Sequence, residues 1–429
     1  MIRHKMRMFT DPRWREVLMK IGALVIAACA QMLQPAFAAA AAKAYVANFK
    51  DNTVSVIDTE RREVIATIPV VAGPHGMAIT QDGATVYVSG DGSSSVDVID
   101  TALDKVVKTI NVGKTPNGVA LTPDNRLLLV AVYDENRVVF VDTSTQTVVG
   151  AIAVPKPHTV AISPDGKFAY VTVQDPGHFA LALIDLQARR VVRTLALDKT
   201  PRDGEFGYDG KRFYFTQAGV SAVQVLDPAS HRIVAQIPTG VSPHFVGYPT
   251  GSAFGMVVVQ GPGELSLFDP ATNKATRNVK VGKQPHWATA SGDGKTAYVT
   301  NEGSNDVTVV DLASGRTATI AVGNAPRKVV VQRSAATSAE SNAKVSIANF
   351  AFTPEEITIR PGESVTWTND DGAPHGLKFH DGAQGTDLLL PGASFSRRFD
   401  QPGTYDYNCS VHPYMTGRVV VRAALRARR

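Results

Sequence analysis

Apolar residues in this chain alternate with polar ones at a period of two. The runs are five or six residues long and are broken at short intervals by Gly, Asp, Asn and Pro. This pattern predicts short strands joined by tight turns, and hence an all-β chain. One strand type, an apolar run closed by aspartate, occurs seven times, ending at Asp58, Asp100, Asp142, Asp185, Asp227, Asp269 and Asp311. These aspartates stand 42 or 43 residues apart, a regularity that marks a repeat architecture.

Each period reads as four strands. A strand opened by Pro, such as that at Gly76-Met-Ala-Ile79, is followed by a turn of Ser-Pro-Asp-Gly type (163–166, with relatives at 80–83, 122–125 and 291–294). A strand like Ala297–Asn301 comes next, then the Asp-terminated strand, then one of Val-Val-x-Thr-Ile type. Four strands in about 42 residues fit a propeller blade, and seven periods predict a seven-bladed β-propeller over residues 43–333. The segment starts at a second strand (Ala44–Asn48) and ends at a first strand (Arg327–Gln332), so its two ends are expected to share one blade.

The pattern changes after the seventh repeat. Residues 334–343 are small and polar without periodicity and read as a flexible linker. Residues 344–423 resume alternation and read as a small β-sandwich, with strands expected at Lys344–Asn349, Glu356–Arg360, Ser364–Thr368, Leu377–His380, Ser394–Phe399, Thr404–Cys409 and Arg418–Arg422. At the other end, residues 1–38 read as a signal peptide: six Lys/Arg flank a short apolar run from Ile21, and Pro35-Ala-Phe-Ala38 offers a cleavage site. The run is too short for a membrane span. Ile26-Ala-Ala-Cys29 also has the form of a bacterial lipobox, so a lipid anchor at Cys29 stands as the alternative to cleavage after Ala38. Most of the net charge of +5 belongs to this leader, leaving about +1 elsewhere, which gives no support for nucleic-acid binding.

Candidate chemistry concentrates in one heptad, Cys409-Ser-Val-His412-Pro-Tyr-Met415. A second imidazole, His375, lies upstream in Ala373-Pro-His-Gly. Two histidines, a cysteine and a weak methionine make the ligand set of a type 1 (blue) copper site. After leader cleavage Cys409 is the one remaining cysteine, and a metal-bound thiolate is protected in an oxidising compartment.

With these motifs in hand, residues 44–332 resemble the YVTN-repeat propellers of secreted bacterial proteins. The C-terminal segment resembles the cupredoxins, and amicyanin among them, through Val365-Thr-Trp-Thr-Asn369, Pro374-His375, Gly403–Cys409 and the short Cys-x-x-His-x-x-Met loop. The resemblance implies one type 1 copper per chain, held by His375, Cys409, His412 and axial Met415. It implies that Asn369 ties the two ligand loops together. It also implies a redox protein partner docking near His412, on an apolar ring that includes Pro374, Pro413 and Met415, and a periplasmic location. His380 is expected to be a surface or packing residue. The layout resembles nitrous-oxide reductase, but a single mature cysteine cannot build that family's binuclear site, and its activity is not implied.

One repeat position is chemically unusual. The residue after each opening Pro runs His75, Asn117, His158, Arg202, His244, His286, Arg327, which predicts a ring near one mouth of the propeller channel. The Arg blades separating His75 and His158 from the other pair are expected to repel a cation. Lys156, Lys199 and Lys283 are expected nearby. A locally bonded repeat residue, an anion site and a second metal site all stay open for His75, His158, His244 and His286. Three functions follow: an electron carrier with the propeller as docking scaffold, an oxidoreductase with a substrate or second metal at this ring, or a copper-binding or partner-binding protein without redox turnover. No nucleophilic triad, phosphate loop or haem motif is present in the sequence.

Overall fold

A computed structural model describes residues 42–332, apart from 208, 249–251 and 253, and residues 343–421, apart from 360–362, 384, 400 and 402. The expected leader and Cys29, all but the last residue of the expected linker, and the C-terminal tail lie outside the described residues.

The first segment is a β-propeller of seven four-stranded antiparallel sheets. In each, a strand opened by proline lies innermost, and these inner strands touch their neighbours in a closed ring, with Pro326–Val331 meeting Pro74–Ile79. The ring is closed by one composite blade: Pro326–Val331 pairs with Lys43–Asn48, which continues to Thr53–Asp58 and Glu63–Pro69. The second and third strands of every blade are almost wholly buried between neighbouring sheets, while the fourth strands face solvent.

Turn chemistry explains the repeat. The aspartate ending each third strand accepts backbone N–H bonds from the turn that follows: Asp58 Oδ1 from Glu60 and Arg61, both at 2.9 Å, and Asp269 Oδ1 from Ala271 at 2.8 Å. Between the first and second strands, the hydroxyls of Thr80, Thr122, Ser163 and Ser291 each donate to the aspartate two residues on at 2.6 Å. Gly83, Gly166 and Gly294 then take the positive φ that completes the turn.

The innermost strands carry one further device. Their register shifts just after the opening proline, as between Pro74 and Met77, so the residue after proline sits in a bulge that re-aims its side chain. The backbones pack tightly there. A Cβ on Gly76 would come within 2.2 Å of the Asn117 carbonyl oxygen of the next blade.

The second segment is a sandwich of two sheets. One orders Ala351–Thr353, Ala343–Ala348, Glu363–Asn369 and Ser394–Phe399; the other orders Glu356–Ile359, Thr416–Val421, Gly403–Asn408, His375–Phe379 and Thr386–Leu389. Between them lie Trp367 and Tyr407, both fully buried, with Phe379, Phe399, Val365 and Val419. The first strand begins at Ala343, inside the stretch read as linker. Two strands were not expected, Ala351–Thr353 and Thr386–Leu389. Both are too short for alternation to register. No helix among the described residues is long and apolar enough to cross a membrane.

Candidate metal centre

His375 opens a strand and sits opposite Leu389 at a register shift, so its ring faces the end of the sandwich core. Cys409 immediately follows the strand Gly403–Asn408, and the chain returns within six residues to Thr416–Val421. Two backbone bonds fix that tight loop: Cys409 N donates to the Met415 carbonyl at 2.9 Å, and Met415 N to the His412 carbonyl at 3.0 Å. Cys409 and Met415 join the hydrophobic core of the sandwich, and His412 stays half-buried at its edge.

The folded chain brings three of the expected residues to one point. Cys409 Sγ lies 3.7 Å from His375 Nδ1 and 3.8 Å from His412 Nδ1, and the two nitrogens are 3.3 Å apart. Ligands about 2.0–2.3 Å from a shared ion stand about 3.4–3.8 Å from one another. The donor set therefore fits a single metal ion, and His375, Cys409 and His412 form one group whose ligand atoms all lie within 4.8 Å of each other. The peptide N–H groups of Gly376 and His412 donate to Sγ at 3.4 and 3.3 Å. Such bonds hold the sulfur in place.

The surroundings contain two residues that the sequence did not suggest. Asp371 Oδ2 bonds His375 Nε2 at 3.0 Å, leaving Nδ1 for the shared point. The same carboxylate accepts the backbone N–H groups of Asn349 and Phe350, both at 2.9 Å. Asn349 and Phe350 are both left-handed, with φ of 53° and 57°. This conformation stands Phe350 edge-on to both imidazoles, with ring centroids 5.5 Å from His375 and 5.0 Å from His412. The one sequence signal was Asp four residues before His375, inside an Asn-Asp-Asp-Gly run that reads as a plain turn.

Two details of the expected site differ. Asn369 donates to the Ala373 and Leu389 carbonyls at 2.9 and 2.8 Å and accepts from Asp371 N at 3.0 Å. These bonds all lie on the His375 side and close that loop against the strand Thr386–Leu389, rather than joining the two ligand loops. Met415 is 3% exposed and belongs to the core, not to a surface ring. The exposed apolar groups near His412 are Phe350, Val411, Pro413 and Tyr414, with Pro374 beside His375. His380 is exposed and bonds Asn408 through Nε2 at 2.8 Å.

In the propeller the ring position gathers its histidines. Ring centroids lie 5.5 Å apart for His75–His158, 6.2 Å for His75–His286 and 4.2 Å for His244–His286. Their nitrogens do not converge as at the C-terminal group: no three of them come within 4.8 Å of one another. Burial first, and then the charge of Arg327, Arg202 and Lys328, holds the four imidazoles below their ordinary basicity, in keeping with the expected repulsion, although both arginines also have partners of their own. Arg327 stacks on Phe49 at 3.4 Å and pairs with Glu302 at 3.4 Å, while Arg202 donates to Gln260 at 3.1 Å. Lys156 pairs with Asp134 at 3.2 Å over Tyr133. The lysine that lines the channel is Lys328, stacked on Trp287 at 4.0 Å and facing Asp203 and Glu205. Desolvation among the packed inner strands, and for Glu205 also the neighbouring Asp203 carboxylate, pushes both of these carboxyls up and the ammonium down, although Glu205 is exposed and Lys328 only half-buried.

Comparison with known proteins gives each segment a family. Residues 339–422 match the copper-binding proteins of the plastocyanin/azurin family, and residues 24–123 match the YNCE-like β-propellers. The chain is 40% identical to amicyanin-alpha of Methylorubrum extorquens over 84 residues, which are 18% of this chain and 70% of that protein. It is 35% identical to amicyanin of Paracoccus denitrificans over 82 residues, 18% of this chain and 63% of that one. Among solved structures it is similar to a chain of Kuenenia stuttgartiensis hydrazine synthase, with a TM-score of 0.57 at 23% identity over 63% of this chain and 92% of that chain. It is also similar to the dihydro-heme d1 dehydrogenase NirN, with a TM-score of 0.54 at 18% identity over 67% and 74%. At these identities the two structural likenesses speak for the fold alone. Through residues 339–422, carried behind a YNCE-like β-propeller, this chain belongs to the plastocyanin/azurin family of copper-binding proteins.

Proposed function

We propose that this chain is a periplasmic type 1 copper protein that passes single electrons, with residues 344–423 as the redox domain and residues 43–333 as a propeller that docks or scaffolds it. His375 Nδ1, Cys409 Sγ and His412 Nδ1 would hold the copper, with Met415 as the fourth and weaker ligand. The observation that carries this reading is the buried triangle of one sulfur and two imidazole nitrogens, 3.3–3.8 Å on its sides. Copper held there supplies a one-electron Cu(II)/Cu(I) couple.

The residues around the triangle serve that couple in distinct ways. The buried core behind Cys409 excludes water and keeps the donors from rearranging. Asp371 orients His375, and the Gly376 and His412 N–H groups temper the electron donation of the sulfur. His412 is the ligand nearest solvent, and the apolar surface of Phe350, Val411 and Tyr414 around it suits a partner that must approach closely without a charged shell. The expected leader in residues 1–38 routes the chain across a membrane. The test is copper content and an optical spectrum of protein matured in the periplasm. One copper per chain, an intense sulfur-to-copper band and reversible one-electron reduction support the proposal. A colourless Cu(II) protein overturns it.

Asp371 supplies a sharper check. Its carboxylate accepts the Nε2 proton of His375 and strengthens the ring as a donor, which favours Cu(II). Asp371→Asn is expected to raise the reduction potential and weaken Cu(II) binding by about 10–100-fold while keeping the blue band. Redox titration and competition with a chelator measure both. An unchanged potential would mean that the carboxylate does not tune the site.

A further inference from the structure

The mouth of the propeller channel holds a second concentration of donor atoms, independent of the C-terminal site. A small cavity of about 20 Å³ is lined by His75, His158, His244, His286 and Asp203, with Arg202 and Lys328 also at its wall. That is room for one water molecule or one ion. Three of the atoms around it are buried without any hydrogen-bond partner: Nδ1 of His75, Nδ1 of His244 and Oδ2 of Asp203. Buried polar atoms are ordinarily hydrogen-bonded, so three without a partner at one cavity call for a ligand that answers all of them.

The other two imidazoles identify what kind of ligand. His158 Nδ1 and His286 Nδ1 each lie 3.2 Å from a backbone carbonyl oxygen, of Arg202 and Arg327 respectively. A carbonyl can only accept, so Nδ1 carries the proton in both rings and Nε2 is left as a lone pair. No hydrogen bond to Nε2 of any of the four histidines exists among the described residues. The cavity thus gathers imidazole lone pairs and a carboxylate oxygen. Arg202 and Lys328 also reach its wall, Arg202 donating to Gln260 and Lys328 stacked on Trp287. The Asp203 and Glu205 carboxylates face Lys328 and offset its charge, which leaves the imidazoles as the main donors.

We infer that the channel mouth of the propeller is a binding site for one transition-metal ion of the zinc or copper class, held by His75, His158, His244 and His286 with Asp203 beside them. Imidazole donors select these metals over calcium and magnesium, which take oxygen shells. Four imidazoles sharing one ion at about 2.0–2.1 Å place their ring centroids about 5 Å apart. The observed spacings of 4.2, 5.5 and 6.2 Å lie on both sides of that value. The nitrogens stand farther apart than at the Cys409 group, so binding draws the rings inward. His75 and His244, the two without a carbonyl anchor, are the ones free to turn, because the terminal torsion of histidine is broad.

The test uses the full-length chain with the Cys409 site already filled by Cu(II), so that its blue absorbance reports on that site throughout. Zinc is then titrated by calorimetry, and bound metal is counted after gel filtration. We expect one zinc per chain beyond the copper. His244→Ala/His286→Ala is expected to weaken zinc binding at least about 100-fold with the blue absorbance unchanged, and His244→Gln/His286→Gln, which keeps the side-chain bulk, is expected to behave alike. The inference is overturned if no zinc is retained by the copper-loaded wild type, or if both double variants bind zinc as the wild type does. Binding of inorganic phosphate or sulfate in place of zinc would also overturn it, in favour of an anion site.

Discussion

A Cys409→Ser protein is expected to fold, to lose the blue band completely and to hold Cu(II) only weakly. Sulfur is the one soft donor of the triangle, and the band arises from charge transfer out of that sulfur, so no compensation from His375 or His412 can restore it. The structure also says why the loss would not be a folding defect. Serine is nearly isosteric, and its hydroxyl oxygen can take up the Gly376 and His412 N–H groups that now point at Sγ, so no buried donor is orphaned. Optical spectroscopy, copper content and a thermal melt of the metal-free protein check the three parts separately. A blue Cu(II) protein from Cys409→Ser would remove Cys409 from the site.

The second large effect concerns stability. Trp367 is fully buried between the two sheets of the copper domain, with ring centroids 5.2 Å from Tyr407 and 5.5 Å from Phe379, both edge-on. Trp367→Ala is expected to cost about 3–5 kcal/mol, the usual range for deleting a core aromatic. A domain of this size spreads such a loss over few contacts, so its melting temperature falls by roughly 15–30 °C. Tyr407 belongs to the strand that ends at Cys409, so the loosened core also releases the ligand loop, and copper retention falls with stability. The propeller has its own closed ring of blades and its transition should not move. Calorimetry of the metal-free chain separates the two. A single unshifted transition would show that Trp367 is dispensable.

The copper site was legible to different depths. Cys409, His412 and Met415 fall within one tight turn between strands, where local spacing nearly guarantees proximity. His375 needed only the strand that follows it. Asp371 and Phe350 could not be read in the same way. Phe350 reaches both imidazoles only because two successive non-glycine residues adopt positive φ, a conformation that no apolar pattern signals. The strand Thr386–Leu389, which supplies the carbonyl partner of Asn369, is too short to show alternation, and so Asn369 was given the wrong partners. Met415 was placed on the surface because a loop position does not state burial; the two backbone bonds that pull the loop inward do.

The propeller divides along the same line. The 42-residue period, the turn aspartates and the proline-opened strands are local signals, repeated seven times, and they determined the blade count and the existence of a ring of residues after each proline. What the ring contains was decided only in three dimensions. Arg327 finds Glu302 across 25 residues and Arg202 finds Gln260 across 58, which leaves the four histidines to face one another. Lys328 enters the channel one residue after the position that the repeat singled out. Strand and turn formation depend on neighbours along the chain, which the sequence records directly. Charge pairing and side-chain convergence depend on partners that only the closed ring of blades brings together.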